Sequence, residues 1–412
     1  MQVVHPRCAG LEVHPDSVVA TVMLTAPDGS VQKHQRSFGA FTLQLLQLRD
    51  WLASHQVTHA AMESTGAYWK PVWNLLEDQL SLLLVNAQHL KRVPGRKTDV
   101  SDSEWLAELL RHGLLRASFV PARPQRELRE LIRHRSGYVD RAAQVKNELQ
   151  EVLECANIKL ARVASQITGV SALEMLGGLL EGSASAEQLA ELARGRLRSK
   201  KPQLVQALEG RIAPHHRLII SQLLADLAWC EEQIEEVSQE IARRLKAEEQ
   251  IIQRLDGIPG VNRRIAEVIL AEAGKDMSRF PSQEQFVSWS GFCPGNNQSG
   301  GRRRGARTRP GDRTFKRAIM EAAHAGSRKK GSFLKARYHR LSAKRGAKRA
   351  KVAVGHSILK SVYQMLKEGT EYTDLGQDYY DRRNPEQLAR KLAHRIEKLG
   401  FSVKIQQLPK AA

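Results

Sequence analysis

Residues 8–38 read CAGLEVHPDSVVATVMLTAPDGSVQKHQRSF, and this stretch decides the fold. It contains three β-type runs separated by two turn signals, His14-Pro15-Asp16 and Pro27-Asp28-Gly29. Such clusters end strands, because proline lacks an amide donor and glycine readily adopts turn geometry. The pattern therefore predicts three short strands that follow one another as a meander.

Helix-type and strand-type patterns alternate after this meander. We predict helices over 41–55 and 67–79, strands over 57–62 and 81–85, and an amphipathic helix that opens at 97–102 and runs to about residue 115. Three strands followed by alternating helices and strands is the order of an α/β ribonuclease-H-like (RuvC-like) domain. We predict such a domain for residues 1–122.

Four carboxylates fall where this fold gathers metal ligands: Glu12, Glu63, Asp99 and Asp102. Glu12 and Glu63 lie at the ends of predicted strands. Asp99 and Asp102 are three residues apart, so a helix would place both on one face. Mg²⁺ prefers hard oxygen ligands, and paired metal ions hold the attacking and leaving oxygens of a phosphoryl transfer. We therefore predict a catalytic site for Mg²⁺, or Mn²⁺ in its place.

Asp99 and Asp102 also have a simpler interpretation. Acidic residues in the first turn of a helix complement the helix dipole, and Asp99 and Asp102 taken alone fit that role better than they fit a metal site. The metal site is favoured because Glu12 and Glu63 stand at strand ends in the same domain.

Length and composition limit the classes of protein to which this chain can belong. Of the 412 residues 42% are hydrophobic, which is enough for two or three cored domains, and no apolar run is long enough to span a membrane. The N-terminus carries no signal-peptide pattern. The four cysteines are far apart without a CxxC pair, which predicts a reduced cytoplasmic protein without a zinc site or disulfide framework.

Positive charge is concentrated near the C-terminal end. The segment from Arg302 to Lys351 holds 19 Lys and Arg residues but only two acids, so it carries most of the net charge of +20. Such a cluster is typical of a surface that binds phosphate backbone. A solvated face or a disordered tail is the alternative, but apolar residues recur at helical spacing and favour a folded surface. The residues predicted to contact nucleic acid here are Arg302, Arg303, Arg304, Arg307, Arg309, Arg313 and Lys316.

Two long helical patterns, 125–163 and 215–255, occupy the middle of the chain, which we predict as a coiled-coil-like domain over 123–250 with a connector at 183–203. The connector includes a possible capping box at Ser185. Irregular heptads leave two alternatives, pairing between protomers or an intramolecular hairpin. We predict a mostly helical domain over 251–365 and a C-terminal extension over 366–412.

Two further motifs lie in the C-terminal domain. Gly257-Ile258-Pro259-Gly260 precedes a predicted helix, and helix-hairpin-helix modules use such turns to grip DNA phosphates through backbone amides. We therefore predict nucleic-acid contacts at Gly257 and Gly260. Ser299 lies between glycines and amides and next to arginines, which suit a developing phosphoryl charge. By composition alone a loop serine is more often a turn residue.

The chain resembles the DEDD transposases of insertion sequences, which are bridge-RNA-guided recombinases with a RuvC-like N-terminal domain and a serine-bearing C-terminal domain. The matching stretches are Gly10–His14, Met62–Gly66, Lys97–Asp102, Gly257–Gly260 and Gly291–Gly300 with its basic tail. The resemblance implies that Glu63, Asp99 and Asp102 bind Mg²⁺ and that Ser299 forms a covalent phosphoserine link with DNA. It also implies a noncoding guide RNA, donor and target DNA, a homo-oligomer (dimer or tetramer), and a bacterial, nucleoid-associated location.

One position departs from the family pattern. The first ligand of the family is an aspartate, and Glu12 stands in its place here. Glutamate moves the carboxylate outward by about 1.5 Å, and a misplacement near 1 Å can cost on the order of 10²-fold in rate. Two alternatives to a recombinase stay open. One is a metal-dependent junction endonuclease without serine chemistry, in which Ser299 is only a loop residue. The other is a catalytically impaired nucleic-acid-binding protein, in which Glu12 marks a degenerate site.

Overall fold

The structure is a computed structural model that describes residues 2–64, 66–86, 101–182, 184–295, 297–305, 307–308 and 311–406; for 297–299 and 303–305 it describes the backbone only. Two compact units divide the chain, Met1–Arg123 and Pro124–Ala412. Among the described helices, none combines the length and the apolar character that a membrane crossing requires.

The first unit is a mixed α/β domain built on one six-stranded sheet. Its strands are β1 (Arg7–Val13), β2 (Ser17–Thr25), β3 (Val31–Gly39), β4 (His59–Glu63), β5 (Ser81–Val85) and β6 (Ala117–Ser118). Its described helices are α1 (Thr42–Ser54), α2 (Trp69–Leu76) and α3 (Asp102–Arg111). The spatial order is β3-β2-β1-β4-β5-β6; β1, β2 and β3 are antiparallel, and β4 and β5 run parallel to β1. The predicted meander is confirmed.

The two faces of the sheet are covered by different helices. Alternate residues of β1 point to opposite faces. Leu11 and its neighbours pack with α1 and α2, whereas Cys8 packs with Leu106 and Leu110 of α3. Burial under α3 raises the pKa of the Cys8 thiol to about 12, so this cysteine stays protonated.

Gly10 lets α3 lie directly on β1. A Cβ atom at this position would lie 2.0 Å from the Ser103 carbonyl oxygen and 2.5 Å from the Ala107 amide nitrogen. Both neighbours are backbone atoms, so a larger residue would push the whole helix away from the strand. The start of α3 is therefore fixed against the middle of β1.

This close approach gives a prediction for stability. Gly10→Ala should lower the free energy of unfolding of the first unit by about 3 kcal/mol or more, since overpacking against backbone leaves no side chain to rearrange. Gly137→Ala is the matched control, because Gly137 lies inside a helix and a Cβ added there would meet nothing within 4 Å. It should raise stability by about 0.5–1 kcal/mol. Denaturant unfolding followed by circular dichroism measures both changes, and equal stability of the two variants would contradict the close packing.

The first part of the second unit contains two long helices, with four shorter described helices between them. They are α4 (Arg123–Cys155), α5 (Leu160–Val163), α6 (Val170–Glu181), α7 (Ala186–Glu191), α8 (Lys201–Leu208) and α9 (Pro214–Arg244). Two 3-10 turns, Gly195–Lys200 and Lys246–Glu248, connect elements of this part. The capping box predicted at Ser185 is confirmed, because its side chain and that of Gln188 exchange hydrogen bonds with each other's backbone amides.

Both long helices are shorter than the sequence predicts. The first ends at Cys155, because the chain turns at Asn157, whose φ of 58° is incompatible with a right-handed helix. The second ends at Arg244, and a 3-10 turn separates it from the next helix. The spacing of apolar residues along the sequence does not reveal these breaks, because residues on both sides of each break are buried.

The apolar stripes of α4 and α9 are used within the chain. Ile132 clusters with Ile241, Ala142 with Leu227, and Leu149 with Ile220. The partner number falls as the α4 number rises, so the two helices pack antiparallel. This arrangement is the intramolecular hairpin; these stripes do not by themselves supply an interface between protomers.

The remaining elements form a second core rich in helices. The helices are α10 (Glu249–Asp256), α11 (Arg263–Ala273), α12 (Gln283–Trp289), α13 (Arg313–Gly326), α14 (Phe333–Arg345), α15 (Ala347–Glu368), α16 (Tyr379–Arg383) and α17 (Pro385–Glu397). Strands β7 (Asn297–Ser299) and β8 (Arg302–Gly305) form a two-stranded sheet. Phe286, Phe292 and Phe315 are fully buried in the core between these helices.

Candidate active site

The carboxyl ends of the parallel strands bring two of the predicted ligands together. Strand β1 pairs with β4 in a register that matches Leu11 with Met62, so Glu12 lies next to Glu63 when that register continues by one residue. Neighbouring strands are about 4.8 Å apart. Glu12 shares its side of the sheet with Cys8, and Glu63 shares its side with Ala61, both of which pack toward α3. Glu12 and Glu63 therefore emerge on the same face.

Asp102 reaches this face from the helix that covers it. It is the first residue of α3, immediately before Ser103, whose carbonyl lies against Gly10 of β1. Gly10 precedes Glu12 by two residues, or roughly 6.6 Å of strand. Glu12, Glu63 and Asp102 thus come from three neighbouring elements, namely β1, β4 and the helix α3 that packs on this side of the sheet.

Asp99 lies outside the described residues, so its predicted pairing with Asp102 stays a prediction. Ser101 is the N-cap of α3, with extended backbone at ψ 150°, and its side chain accepts a hydrogen bond from the Glu104 amide. The helix that contains Asp102 therefore begins at that residue. Asp99 stays a predicted ligand from the segment that leads into α3.

A polar network that sequence reasoning missed fixes the start of α3. Gln35 of β3 donates through Nε2 to the Ser101 hydroxyl at 2.9 Å, and it also reaches Thr21 at 3.2 Å. The Thr21 and Ser103 hydroxyls are 2.8 Å apart and buried. These bonds tie the N-cap of α3 to β2 and β3, and so they set the position of Asp102. The only sequence signal was a run of polar residues on β3, which alternation alone assigns to solvent.

His14 is the immediate neighbour of the unusual ligand. Its Nε2 lies 3.0 Å from Glu12 Oε1, and the Glu12 side chain is 27% exposed. The longer glutamate side chain thus reaches a partner just beyond the turn that ends β1. His14 therefore competes with a metal ion for this carboxylate oxygen.

The donor set fits a hard divalent cation. Carboxylate oxygens are the ligands that Mg²⁺ and Mn²⁺ prefer, and three carboxylates lie on these neighbouring elements. In the part of the chain that the structure describes, no three His, Cys, Asp or Glu side chains are close enough together to hold a metal ion. Binding would therefore have to draw these side chains together, with Asp99 as the predicted fourth ligand.

Ser299 stands at the tip of a β-hairpin. It is the last residue of β7 and pairs directly with Arg302, the first residue of β8. Gly300 and Gly301 connect them with φ of 56° and 74°, the left-handed pair that a two-residue hairpin turn of type I′ requires. The structure thus places the backbone of Ser299 opposite that of an arginine. The side chains of Ser299, Arg303 and Arg304, and the whole of Arg309, lie outside the described residues.

Contacts at the base of the hairpin anchor it to the second unit. Pro294 bridges Thr308, and the Gly295 amide donates to the Arg307 carbonyl at 2.8 Å. Lys316 of α13 donates to the Thr308 hydroxyl at 3.0 Å, so it braces this base. Arg302, Arg307 and Arg313 have exposed side chains.

An ionic network around the buried Glu272 holds α13, which follows the hairpin. Asp312 caps the helix by accepting from the Phe315 amide at 2.8 Å, and it accepts from Arg133 of α4 at 2.8 Å. Arg133 also pairs with Glu272 of α11 at 3.0 Å, and Arg129 approaches the same carboxylate at 3.2 Å. Burial raises the pKa of Glu272, while the two arginines favour its charged form. Removing both arginines would leave the buried charge of Glu272 unpaired, which is strongly destabilising.

The Gly257–Gly260 turn joins α10 to α11 and packs against α13. A Cβ on Gly260, whose φ is 92°, would lie 2.2 Å from the Ala322 carbonyl oxygen. The amides of Gly257, Ile258 and Val261 donate to carbonyls within the same turn region. Packing thus accounts for Gly260, and the phosphate contacts of Gly257 and Gly260 stay predictions.

Two family models match the chain. A transposase model of the DEDD, IS110 type matches residues 9–158, which include Glu12, Glu63 and Asp102. A second model, described as transposase IS116/IS110/IS902 family, matches residues 252–339, which include Ser299. A comparison with curated proteins gave no match. Because the two matched ranges together span more than half of the chain and follow each other in the expected order, the chain belongs to the IS110-type DEDD transposases.

Proposed function

We propose that this transposase cuts and rejoins DNA with a metal-binding carboxylate site and a serine nucleophile. The observation that carries the proposal is that Glu12 and Glu63 lie near the ends of neighbouring parallel strands and Asp102 begins the helix packed on β1, all inside the range that matches the DEDD model. The strand order, with a three-stranded meander followed by parallel strands, supports a ribonuclease-H-like fold for this unit.

The carboxylates would hold divalent metal ions. Glu12, Glu63 and Asp102, with Asp99, offer only hard oxygen donors, which supports Mg²⁺ with Mn²⁺ as a substitute. The bound metal would supply charge stabilisation for the phosphoryl group and its leaving oxygen. The polar network around Ser101 would keep Asp102 in place, since ligands held by neighbouring hydrogen bonds lose less freedom on binding.

Ser299 would carry the covalent step. Its oxygen forms a bond to a DNA phosphorus while the bond from that phosphorus to one bridging DNA oxygen breaks. The serine proton passes to water, and the departing DNA oxygen takes up a proton to become a hydroxyl. The number of phosphate ester bonds is unchanged, so a DNA hydroxyl reverses the exchange and rejoins the strand without ATP. The exposed Arg302 opposite Ser299 in the hairpin supports a role in stabilising phosphoryl charge.

A noncoding RNA from the element would choose the donor and target DNA, and several protomers would act at one junction. The basic segment from Arg302 to Lys351 supports binding of such nucleic acids, because few acids compensate its charge. The exchange of several strands supports a dimer or tetramer.

The contact between Glu12 and His14 favours one second candidate, a nucleic-acid-binding protein whose metal site is weakened. The substitution Glu12→Asp distinguishes the recombinase from this second candidate. If the pocket is built for the shorter ligand, the variant should cleave DNA faster by about tenfold, because it returns the carboxylate by one C–C bond and releases it from His14.

Cleavage of a supercoiled substrate with Mg²⁺ or Mn²⁺ measures this effect, with Glu12→Gln as the control that keeps length but loses charge. An unchanged or lower rate for Glu12→Asp would mean that the site has adapted to glutamate. No scission by any of the three proteins, together with tight and salt-sensitive DNA binding, would support the second candidate.

A further inference from the structure

A groove of about 980 Å³ lies at the base of the serine-bearing hairpin. One wall is formed by Pro294, Arg307 and Thr308, where the two hairpin strands leave the core, and the opposite wall by α14 and α15. Sites that hold a small molecule occupy roughly 300–1,000 Å³, so the groove has room for more than one nucleotide unit. Strands rise about 3.3 Å per residue, so its rim at Pro294 is within roughly 17 Å of Ser299.

The rim of the groove carries positive charge without compensation. Five cations line it, and no acid does among the residues that the structure describes; the cations are Arg307, Arg337, Arg345, Lys348 and Arg349. Arginines elsewhere in this unit, such as Arg133 and Arg263, are paired with carboxylates. Arg337 instead donates to the Ala353 carbonyl at 3.3 Å and to the Tyr380 hydroxyl at 3.2 Å. These partners are neutral, so they orient the guanidinium group without compensating its positive charge. That charge remains available to attract an anionic ligand.

Two of these cations do not stabilise the helix that carries them. Lys348 and Arg349 lie in the first turn of α15, where the helix dipole disfavours positive charge. That turn has no acidic residue, and its N-cap Gly346 provides no side-chain hydrogen bond. The charge at this position is therefore better explained by an anionic ligand than by the helix itself.

The floor of the groove is apolar. Leu341 and Val352 line it together with Phe292, whose ring lies close against α15 because Gly355 has no Cβ to displace it. His356 completes this floor with an imidazole ring, and burial, together with Lys360 and Arg337, lowers its pKa. A neutral imidazole offers a flat ring and one acceptor nitrogen. Phosphate groups gain nothing from such a floor, whereas a nucleobase does.

We propose that this groove binds unpaired nucleotides, with their phosphates on the Arg and Lys rim and a base on the floor formed by Leu341, Val352 and His356. Proteins that bind single strands combine a basic groove with surfaces on which bases stack. A duplex keeps its base faces stacked inside and would use only the rim. An acidic peptide would also use only the rim. The proposal rests on the proposed function in one respect, namely that strand exchange exposes unpaired nucleotides close to Ser299.

Binding measurements on the full chain test this proposal without requiring cleavage or metal. Fluorescence anisotropy would compare a short labelled oligothymidylate with a blunt duplex of equal length. The groove variant is Arg345→Glu/Lys348→Glu/Arg349→Glu, in which all three residues are exposed. The matched control is Arg328→Glu/Lys329→Glu/Lys330→Glu, which makes the same charge change at exposed positions of the same basic segment outside the groove.

The groove variant should lose at least about tenfold more affinity for the single strand than the control does, and its salt slope should flatten by about 2. Both variants should lose duplex affinity to a similar extent. The uncharged variant Leu341→Asn should weaken single-strand binding by about tenfold, with an unchanged salt slope, because it alters only the floor. Thermal unfolding of each variant would show that the fold is kept.

Three results would overturn the proposal: equal single-strand losses for both charge variants, a loss confined to duplex, or full single-strand affinity in Leu341→Asn. Equal losses, or a loss confined to duplex, would mean that the groove is a general phosphate-binding surface. Full affinity in Leu341→Asn would mean that only the charged rim binds, as it would also bind an acidic peptide. Failure of the proposed function is a different outcome, since it would appear as absent strand cleavage by a protein that still binds single strands through this groove.

Discussion

Replacing Ser299 by alanine should abolish the covalent protein–DNA intermediate while leaving binding of DNA and RNA close to that of the unchanged protein. The substitution removes one hydroxyl at the tip of a hairpin whose turn is set by Gly300 and Gly301 rather than by the serine. Because phosphate affinity resides in the surrounding cations, binding and chemistry should separate. The measurement is the amount of labelled DNA that remains attached to the protein after denaturation.

Asn297→Ala is the control for this experiment, since it shortens a side chain on the same strand two residues away. It should retain the adduct if the hairpin tolerates small changes. An adduct of normal yield in the Ser299→Ala protein would assign the nucleophile to another residue.

Asp102→Asn should lower strand cleavage by at least about 100-fold with little change in stability or nucleic-acid affinity. Loss of an outer partner of a metal ligand typically costs about 10–100-fold, and Asp102 is predicted to be a direct ligand. The amide keeps the size of the side chain but removes its charge. Cleavage of a supercoiled substrate across a range of Mg²⁺ concentrations measures the effect.

Glu104→Gln provides a matched control two residues along the same helical turn. Glu104 pairs with Lys33 at 2.5 Å, so its carboxylate is engaged with β3. This control should cleave at nearly the normal rate. If both variants cleave normally, Asp102 has no part in the reaction; if both fail, the start of α3 rather than the Asp102 carboxylate is what the reaction needs.

The sequence predicted those parts of the fold that alternation and turn residues specify. The meander follows from β-type runs separated by turn signals that contain proline and aspartate, and the strand that ends in Glu63 follows from an apolar run; both are confirmed. Helix limits were predicted less well. The breaks at Asn157 and after Arg244 interrupt no apolar pattern, and the helix start at Asp102 depends on the N-cap Ser101.

The hairpin that bears Ser299 was predicted only as a loop, although Gly300-Gly301 is a recognised turn signal. Its strands are three and four residues long and contain mostly polar residues, so no apolar alternation marks them as β structure. The Gln35–Ser101 hydrogen bond could not be predicted either, because it joins residues 66 positions apart. The carboxylate edge itself was predictable, since parallel strands present their carboxyl ends at one side of a sheet.

The most direct test of the central claim is to identify the protein atom that becomes attached to DNA. The full chain would be incubated with labelled DNA from the element ends, the neighbouring structured noncoding RNA and Mg²⁺, then denatured and digested with nuclease and protease for mass spectrometry. The account predicts a phosphorylated peptide that contains Ser299, formed by the unchanged protein and not by Asp102→Asn. Cut strands without any modified peptide, or a modification on a different residue, would contradict it.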